Sequence, residues 1–340
     1  MRQVWITKSG PPSVLQVREA PDPEAKRGEV RIAVRAAGIN FADLMARVGL
    51  YPDAPKLPCV VGYEVSGVVD ALGDGVSGVA VGDRVVAMPR FGGYTDTLVI
   101  DAAQVYRMPA AMTFEEGAAL PVVYVTAYHM MLFTGHLRPG SRVFVHSIAG
   151  GVGLAAIDLA RTADCILYGT ASPQKHAFLR ERGVHHPIDS GADWVAATRA
   201  LLASEKVEGL DLILDPVGGR SWGDGYDLLA PAGRLVAFGL SAAAAGKTRS
   251  LLHAALQVMK VRKFNPMKLM DDNKTVSGTN MGHLFERIDL LRPQLEALLA
   301  LYEEGKIRPH VDATFSFADA AKAHHHLHDR KAIGKVLLVP

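Results

Sequence analysis

Residues 142–159 read Arg-Val-Phe-Val-His-Ser-Ile-Ala-Gly-Gly-Val-Gly-Leu-Ala-Ala-Ile-Asp-Leu: a short apolar run, a glycine-rich turn, then the start of an amphipathic helix. That order restricts the local fold to strand, turn and helix. Gly150 and Gly151 allow backbone to approach a pyrophosphate, Gly153 allows the helix to pack closely on the strand, and the helix amino terminus presents N–H groups to anionic oxygens. Val152, Ala155, Ala156 and Leu159 follow i, i+3, i+4, i+7 spacing, and the strand follows a Pro139-Gly140 turn. A dinucleotide is the expected guest. Ser147 stands where a strict G-x-G-x-x-G would place more glycine, so the motif alone is also compatible with an ordinary tight connection.

At 340 residues the chain is long enough for two domains with full cores. Hydrophobic residues make up 49% and charged residues 21%, as in a globular enzyme, and the net charge of +2 leaves no basic stripe for a phosphate backbone. Nucleic acid is therefore not an expected partner. Cys59 and Cys165 lie far apart, and no leader pattern opens the chain, so a cytoplasmic setting is expected. No apolar run reaches the roughly 18–20 residues that span a bilayer, which argues against stable membrane insertion.

Before about Leu120 the sequence shows short β-type runs divided by turns: Val30 to Val34, Val65 to Leu72, Arg84 to Ala87 and Thr97 to Ile100. From about Val125 strands alternate with helices: Val143 to Val145, Ile166 to Tyr168, Leu212 to Leu214, Leu235 to Phe238 and, as a sixth strand, Thr275 to Gly278. Such alternation predicts a doubly wound parallel sheet, an α/β fold of Rossmann type. Beyond Gly282 a helix (Leu290 to Glu304), a strand (His310 to Phe315), a helix (Phe317 to Leu327) and a last strand (Val336 to Val339) suit a return into the first domain. The alanine run Ala242 to Ala245, followed by Gly246-Lys247 and by Lys260, Arg262, Lys263 and Lys268, reads as a mobile loop with a basic rim. That rim is either a solvated surface or a membrane or partner patch.

Gly38-Ile39-Asn40-Phe41-Ala42-Asp43, Gly49-Leu50-Tyr51-Pro52, Gly62-Tyr63-Glu64-Val65-Ser66-Gly67, Gly82-Asp83-Arg84-Val85, Phe91-Gly92-Gly93-Tyr94, Ala149 to Gly153 and Gly334-Lys335-Val336 occur in this order. Together they resemble the medium-chain dehydrogenase/reductase superfamily, in its zinc-independent quinone oxidoreductase branch. Asn265 to Met270 and Gly278 to Leu284 are most similar to the subgroup of the synaptic vesicle amine transport protein. The resemblance implies a β-rich GroES-like catalytic domain, 1–123 with 283–340, and a Rossmann NADP-binding domain, 124–282.

Zinc relatives in this superfamily have Cys where this chain has Asn40 and His where it has Tyr63. An amide and a phenol are not normal replacements for thiolate and imidazole, and the four-cysteine structural site cannot be made from two cysteines. Without that Lewis acid, alcohol oxidation is disfavoured. Of the histidines near the carboxyl end, only His324 and His328 share a helix face, and without an H-E-x-x-H arrangement they read as polar helix surface.

The second strand of the nucleotide fold is expected to end at Tyr168-Gly169, where an NAD site would carry Asp or Glu for the ribose hydroxyls. This chain continues Gly169-Thr170-Ala171-Ser172-Pro173-Gln174-Lys175. Ser172 can hydrogen-bond a 2′-phosphate and Lys175 can neutralise it, which favours NADPH. The alternative for Lys175 is a solvated lysine at a helix start. Many relatives add a Tyr to the phosphate pocket where this chain has Ser190, a difference that weakens the phosphate grip.

The resemblance also implies a cofactor set made of Asn40, Thr126, Ser147, Ala149, Gly150, Gly151, Val152, Thr170, Ser172 and Lys175, with Asp215 and Val217 on the adenosine side and Phe238, Gly239, Asn280 and Met281 beside the nicotinamide. Thr126, read as following a strand and opening a helix, has a capping role as its structural alternative. Hydride delivery to a quinone or an α,β-unsaturated carbonyl is the expected reaction. Tyr51 is the catalytic candidate for substrate orientation or proton supply, with Asn40 as its polar neighbour; a wall aromatic is the other reading of Tyr51, and packing or polar lining that of Tyr63. The rival function is an NADP-binding, membrane- or partner-associated protein with little turnover, with a zinc alcohol dehydrogenase third. The exposed edge of the sixth strand predicts a homodimer.

Overall fold

A computed structural model describes residues 1–244 and 250–340. The end of the alanine run, Ala245, with Gly246 and Lys247, lies outside the described residues. The chain divides into two compact units, one comprising Met1–Val125 and Met281–Pro340, the other residues 126–244 and 250–280.

In the second unit six strands form one parallel sheet: Arg142–Val145, Ile166–Ala171, His186–Asp189, Leu210–Asp215, Leu229–Ala237 and Thr275–Gly278. Side by side they run third, second, first, fourth, fifth, sixth, the order of a dinucleotide-binding Rossmann sheet. Val143, Phe144, Val145, Leu212, Ile213 and Leu214 are buried, because a parallel sheet covered on both faces requires continuous apolar strands. The short third strand, His-Pro-Ile-Asp, has only one strongly apolar residue, so the sequence did not disclose it. The second strand runs two residues beyond the predicted end at Gly169, carrying Thr170 and Ala171 inside the sheet and leaving Ser172 just past it. Among the described residues, Thr275–Gly278 pairs only with Leu229–Ala237, at the outer edge of the sheet.

The first unit is built on a seven-stranded sheet centred on the long strand Glu29–Ile39, which pairs with Val65–Leu72, Thr97–Asp101 and Lys335–Val339. Three further strands, Arg2–Ile6, Leu15–Glu19 and Cys59–Val60, make a smaller sheet. The core packs Ile6, Val30, Ile32, Val65, Val85, Tyr94, Val336 and Leu338 together. After Gly282 the residues Ile288–Glu303 form a helix, and Val311–Ser316 and Lys335–Val339 enter the large sheet.

Two expectations need correction. Thr126 does not follow a strand and open a helix: it lies inside the helix Pro121–Tyr128, because the apolar stretch from Pro121 is compatible with a buried helix as well as with a strand. His324 is not on a polar surface. It is fully buried, at 0% exposure, in the helix Ala320–His328, whose face toward the sheet also carries Ala320 and Ala323.

Candidate active site and dinucleotide cradle

In the second unit the helix Gly151–Arg161 begins at Gly150 with no side-chain cap, so its amino terminus is furnished by backbone alone. Its close seating depends on Gly153, where a Cβ would overlap the carbonyl of Ile148. Ser147 enters the turn with φ +56°, a left-handed conformation that costs a non-glycine residue energy. A buried relay holds it there. The Ser147 N–H donates to Thr170 Oγ1 at 3.1 Å, and Thr170 Oγ1 also meets His146 Nδ1 at 3.1 Å. His146 Nε2 lies 3.2 Å from Ser221 Oγ, and Ser221 donates to Asp215 Oδ2 at 2.5 Å. The other oxygen of Asp215 accepts the N–H groups of Val217 at 2.6 Å and Gly218 at 3.2 Å, while its backbone carbonyl accepts the Phe238 N–H at 3.1 Å.

The relay therefore joins Ser147, Thr170, Asp215, Val217 and Phe238, five of the predicted cofactor residues, at the carboxyl ends of four strands. Burial pushes the His146 imidazole below its ordinary pKa, so it bridges as a neutral ring. His146 and Ser221 had been assigned no role from sequence. A lone histidine ending an apolar run carries no periodic signal, and Ser221 becomes visible only when its helix folds back over Asp215. Ser172 and Lys175 bracket a short turn closed by Lys175 N–H to Ser172 O at 3.0 Å. Asp189, in register with Ala171 on the next strand, accepts the Gly191 N–H at 2.8 Å, and Ser190 donates its N–H to Ala171 O at 3.0 Å. Thr126, Gly239 and Asn280 also belong to this unit; Asn40 and Met281 belong to the first.

In the first unit Asn40 precedes the helix Phe41–Val48 and donates its N–H to Asp43 Oδ2 at 2.8 Å. Its amide is held at both ends. Nδ2 donates to Glu64 Oε1 at 2.9 Å, and Oδ1 accepts from Lys335 Nζ at 2.6 Å. Lys335 is also ion-paired with Glu64, and Glu64 Oε2 accepts the Val122 N–H at 2.7 Å. Glu64 and Lys335 are 0% and 3% exposed, so each charge relies on the other and on these donors. Glycine is required at position 38, since a Cβ there would overlap the Glu64 carboxylate and the Ala118 carbonyl.

A second buried cluster supports this one. Asp43 accepts from Gly62 N–H at 3.1 Å and from Tyr94 Oη at 3.0 Å, Tyr94 lies 3.4 Å from His324 Nε2, and Arg47 Nε donates to His324 Nδ1 at 3.3 Å. Burial raises the Asp43 carboxyl to about 7, against its hydrogen bonds from Asn40, Tyr94 and Gly62. Burial, with Arg47 beside it, lowers His324 to about 3. Through Asn40 and Gly62, Asp43 fixes the backbone on either side of the functional cluster. Tyr63 follows Gly62 and packs among Tyr51, Phe91 and Phe285, at ring-centroid distances of 6.5, 5.1 and 5.6 Å.

A Rossmann sheet with a glycine cradle and, in the same chain, a GroES-like unit carrying a buried polar cluster define an oxidoreductase of the medium-chain class. Residues 26–132 match the alcohol dehydrogenase GroES-like domain family and residues 182–338 the zinc-binding dehydrogenase family. The chain is 42% identical over 328 residues to the rat synaptic vesicle membrane protein VAT-1 homolog, covering 96% of this chain and 80% of the relative. It belongs to the medium-chain dehydrogenase/reductase superfamily, among the VAT-1 homologs. The crystal structure of the human VAT-1 homolog-like protein is 35% identical, with a TM-score of 0.86 over 100% of this chain and 98% of that one. The Escherichia coli quinone oxidoreductase, solved with NADPH, is 29% identical and matches with a TM-score of 0.86 over 100% of both chains.

Proposed function

We propose that this chain is a zinc-independent, NADPH-dependent reductase that delivers hydride to a quinone or an α,β-unsaturated carbonyl. The observation that carries the reading is the buried Asn40, Glu64 and Lys335 cluster. An ammonium group is already ion-paired with Glu64 and bonded to Asn40, so the charge of the carboxylate is balanced by a side chain at the position where zinc relatives bind a cation. A second cation there would be repelled, and an amide and a phenol supply poor zinc ligands.

The side-chain-free helix start at Gly150 fits a pyrophosphate, and Ser172 with Lys175 fits a 2′-phosphate. When bound, NADPH supplies the hydride. At an enone the new C–H bond forms at the β-carbon while the alkene π pair moves onto the carbonyl oxygen, and a solvent proton completes the α-carbon. The protein's task is to orient the acceptor and donate hydrogen bonds to that oxygen; Tyr51 is assigned to orientation, with Asn40 as its polar neighbour. Both cysteines are free and buried, which suits a reducing cytoplasm.

The test is NADPH oxidation with a panel of quinones and enones, alongside binding of NADPH and NADH. Turnover with NADPH preferred supports the reading; tight NADPH binding with no turnover on any acceptor refutes it. A second reading, partner or membrane association, is favoured by the exposed Leu251, Leu252, Leu256, Val258, Met259, Met267 and Met270 beside exposed Lys260, Lys263 and Lys268. No helix among the described residues is long and apolar enough to cross a membrane. The unpaired edge at Thr275–Gly278 supports a homodimer, which light scattering would test: a monomer refutes it.

A further inference from the structure

The Tyr63 hydroxyl is buried yet has no hydrogen-bond partner of ordinary geometry. Tyr63 is 3% exposed, and its ring is enclosed by Phe285 at 5.6 Å, Phe91 at 5.1 Å and, edge-on, Tyr51 at 6.5 Å. A buried hydroxyl left unsatisfied is a standing cost to the folded state, and such groups in native proteins usually have a ligand or water to serve. Tyr51 is the other phenol of this aromatic set, and a weak hydrogen bond from the Tyr63 hydroxyl toward Tyr51 shifts the ionisation of both. Burial raises both above the ordinary tyrosine value, so both remain protonated donors throughout the neutral range. Tyr51 and Phe91 are half-buried while Tyr63 and Phe285 are buried.

We propose that Tyr63, assisted by Tyr51, is the specificity-determining donor that holds the carbonyl oxygen of a flat, uncharged substrate between aromatic rings. The proposal deepens the reductase reading and rests on it for the identity of the acceptor as a quinone or enone. The chemistry of the surroundings sets the ligand class. Ring faces and edges favour a planar π-bearing molecule, the phenols offer hydrogen to an acceptor oxygen, and the buried setting penalises a charged one. Tyr63 stands where zinc relatives carry a metal-ligating histidine, so a neutral hydrogen bond takes over polarisation of the carbonyl from a Lewis acid.

Binding without turnover tests this directly. The probes are 1-indanone and indane, a planar ketone and its matched hydrocarbon, titrated by NMR into the full-length protein without NADPH. In the wild type the ketone binds about 5- to 10-fold more tightly, the value of one net hydrogen bond. In Tyr63→Phe that ratio falls toward one while indane affinity holds, and the melting temperature changes little, because no hydrogen bond of ordinary geometry is removed from the empty protein. A merely structural Tyr63 would lower the melting temperature and leave the ratio intact. A ratio that survives Tyr63→Phe, or a wild type that binds neither probe, overturns the proposal. The two readings fail separately: a protein inactive with every acceptor that still shows the Tyr63-dependent ketone preference loses the reductase assignment and keeps this site.

Discussion

His324 and Asp43 titrate in opposite senses within one buried cluster, and removing either should expose the other. His324 has a folded pKa of about 3 against 6.5 in the unfolded chain, so its contribution to stability is complete above pH 6.5 and is lost as pH falls. Asp43 has a folded value of about 7 against 3.8, so the folded state takes up its proton first and gains stability as pH falls from 7 toward 4. Each slope is about 1.4 kcal/mol per pH unit. Between pH 6 and 5 the two cancel in the wild type. Relative to wild type, His324→Gln should therefore gain about 1.4 kcal/mol over that interval and Asp43→Asn should lose about as much, with Arg47, Tyr94, His325, His328 and Lys335 as the charged or titratable groups that tune the values. The assay is urea unfolding followed by Trp5, the one tryptophan of the first unit, in a background with Trp194 and Trp222 replaced by Phe. Using differences from wild type removes the contributions of the other carboxylates. Flat difference curves, or two curves of the same sign, would refute the opposed-proton account.

If Ser172 holds the 2′-phosphate as proposed, Ser172→Asp places a carboxylate against it and should weaken NADPH binding by about 10- to 100-fold while leaving NADH within a few fold; fluorescence titration with both coenzymes measures it. Thr170→Val removes the acceptor of the Ser147 N–H and should weaken both coenzymes alike by about 5- to 10-fold, an effect confined to affinity if the glycine turn merely loosens. Lys335→Met leaves Glu64 buried without its cation and should cost about 3–5 kcal/mol of stability in the first unit. Adding Glu64→Gln in the same chain should recover much of that loss, and the same Trp5 unfolding assay decides; equal stability of the single and double variants would show that the pair is not coupled.

Much of the second unit was legible because its signals are local. The glycine turn, the apolar strands and the edge strand at Thr275 each announce themselves within a dozen residues, and the parallel order follows from their alternation with helices. The exceptions have physical causes. His186–Asp189 is too short and too polar to read as a strand, and the segment around Thr126 is apolar on all sides, so no period distinguishes helix from strand. Strand ends were the least legible: the two extra residues of Ile166–Ala171, Thr170 and Ala171, are small and carry little strand signal, and only their pairing with His186–Asp189 extends the sheet.

The functional cluster of the first unit was legible by position and not by partner. Asn40 and Tyr63 stood out as substitutions for metal ligands, but nothing near them in sequence announces Lys335, 295 residues away from Asn40. A buried carboxylate must find a counter-charge, and Glu64 could have met that need with a metal or with a side chain. The choice is made only when Lys335–Val339 pairs beside the strand that delivers Asn40, with Val336 in register with Ile39. The same register explains why Asp43 cannot be read from its own helix. It looks like an ordinary first-turn acid, yet it accepts from Asn40, Gly62 and Tyr94 together, three segments that meet only in the folded sheet. On the proposed reading, the replacement of a Lewis acid by hydrogen-bond donors is a matter of strand pairing as much as of the residues at positions 40 and 63, because Lys335 reaches Glu64 only through that pairing, while Asp43 holds the backbone at Gly62, next to Tyr63.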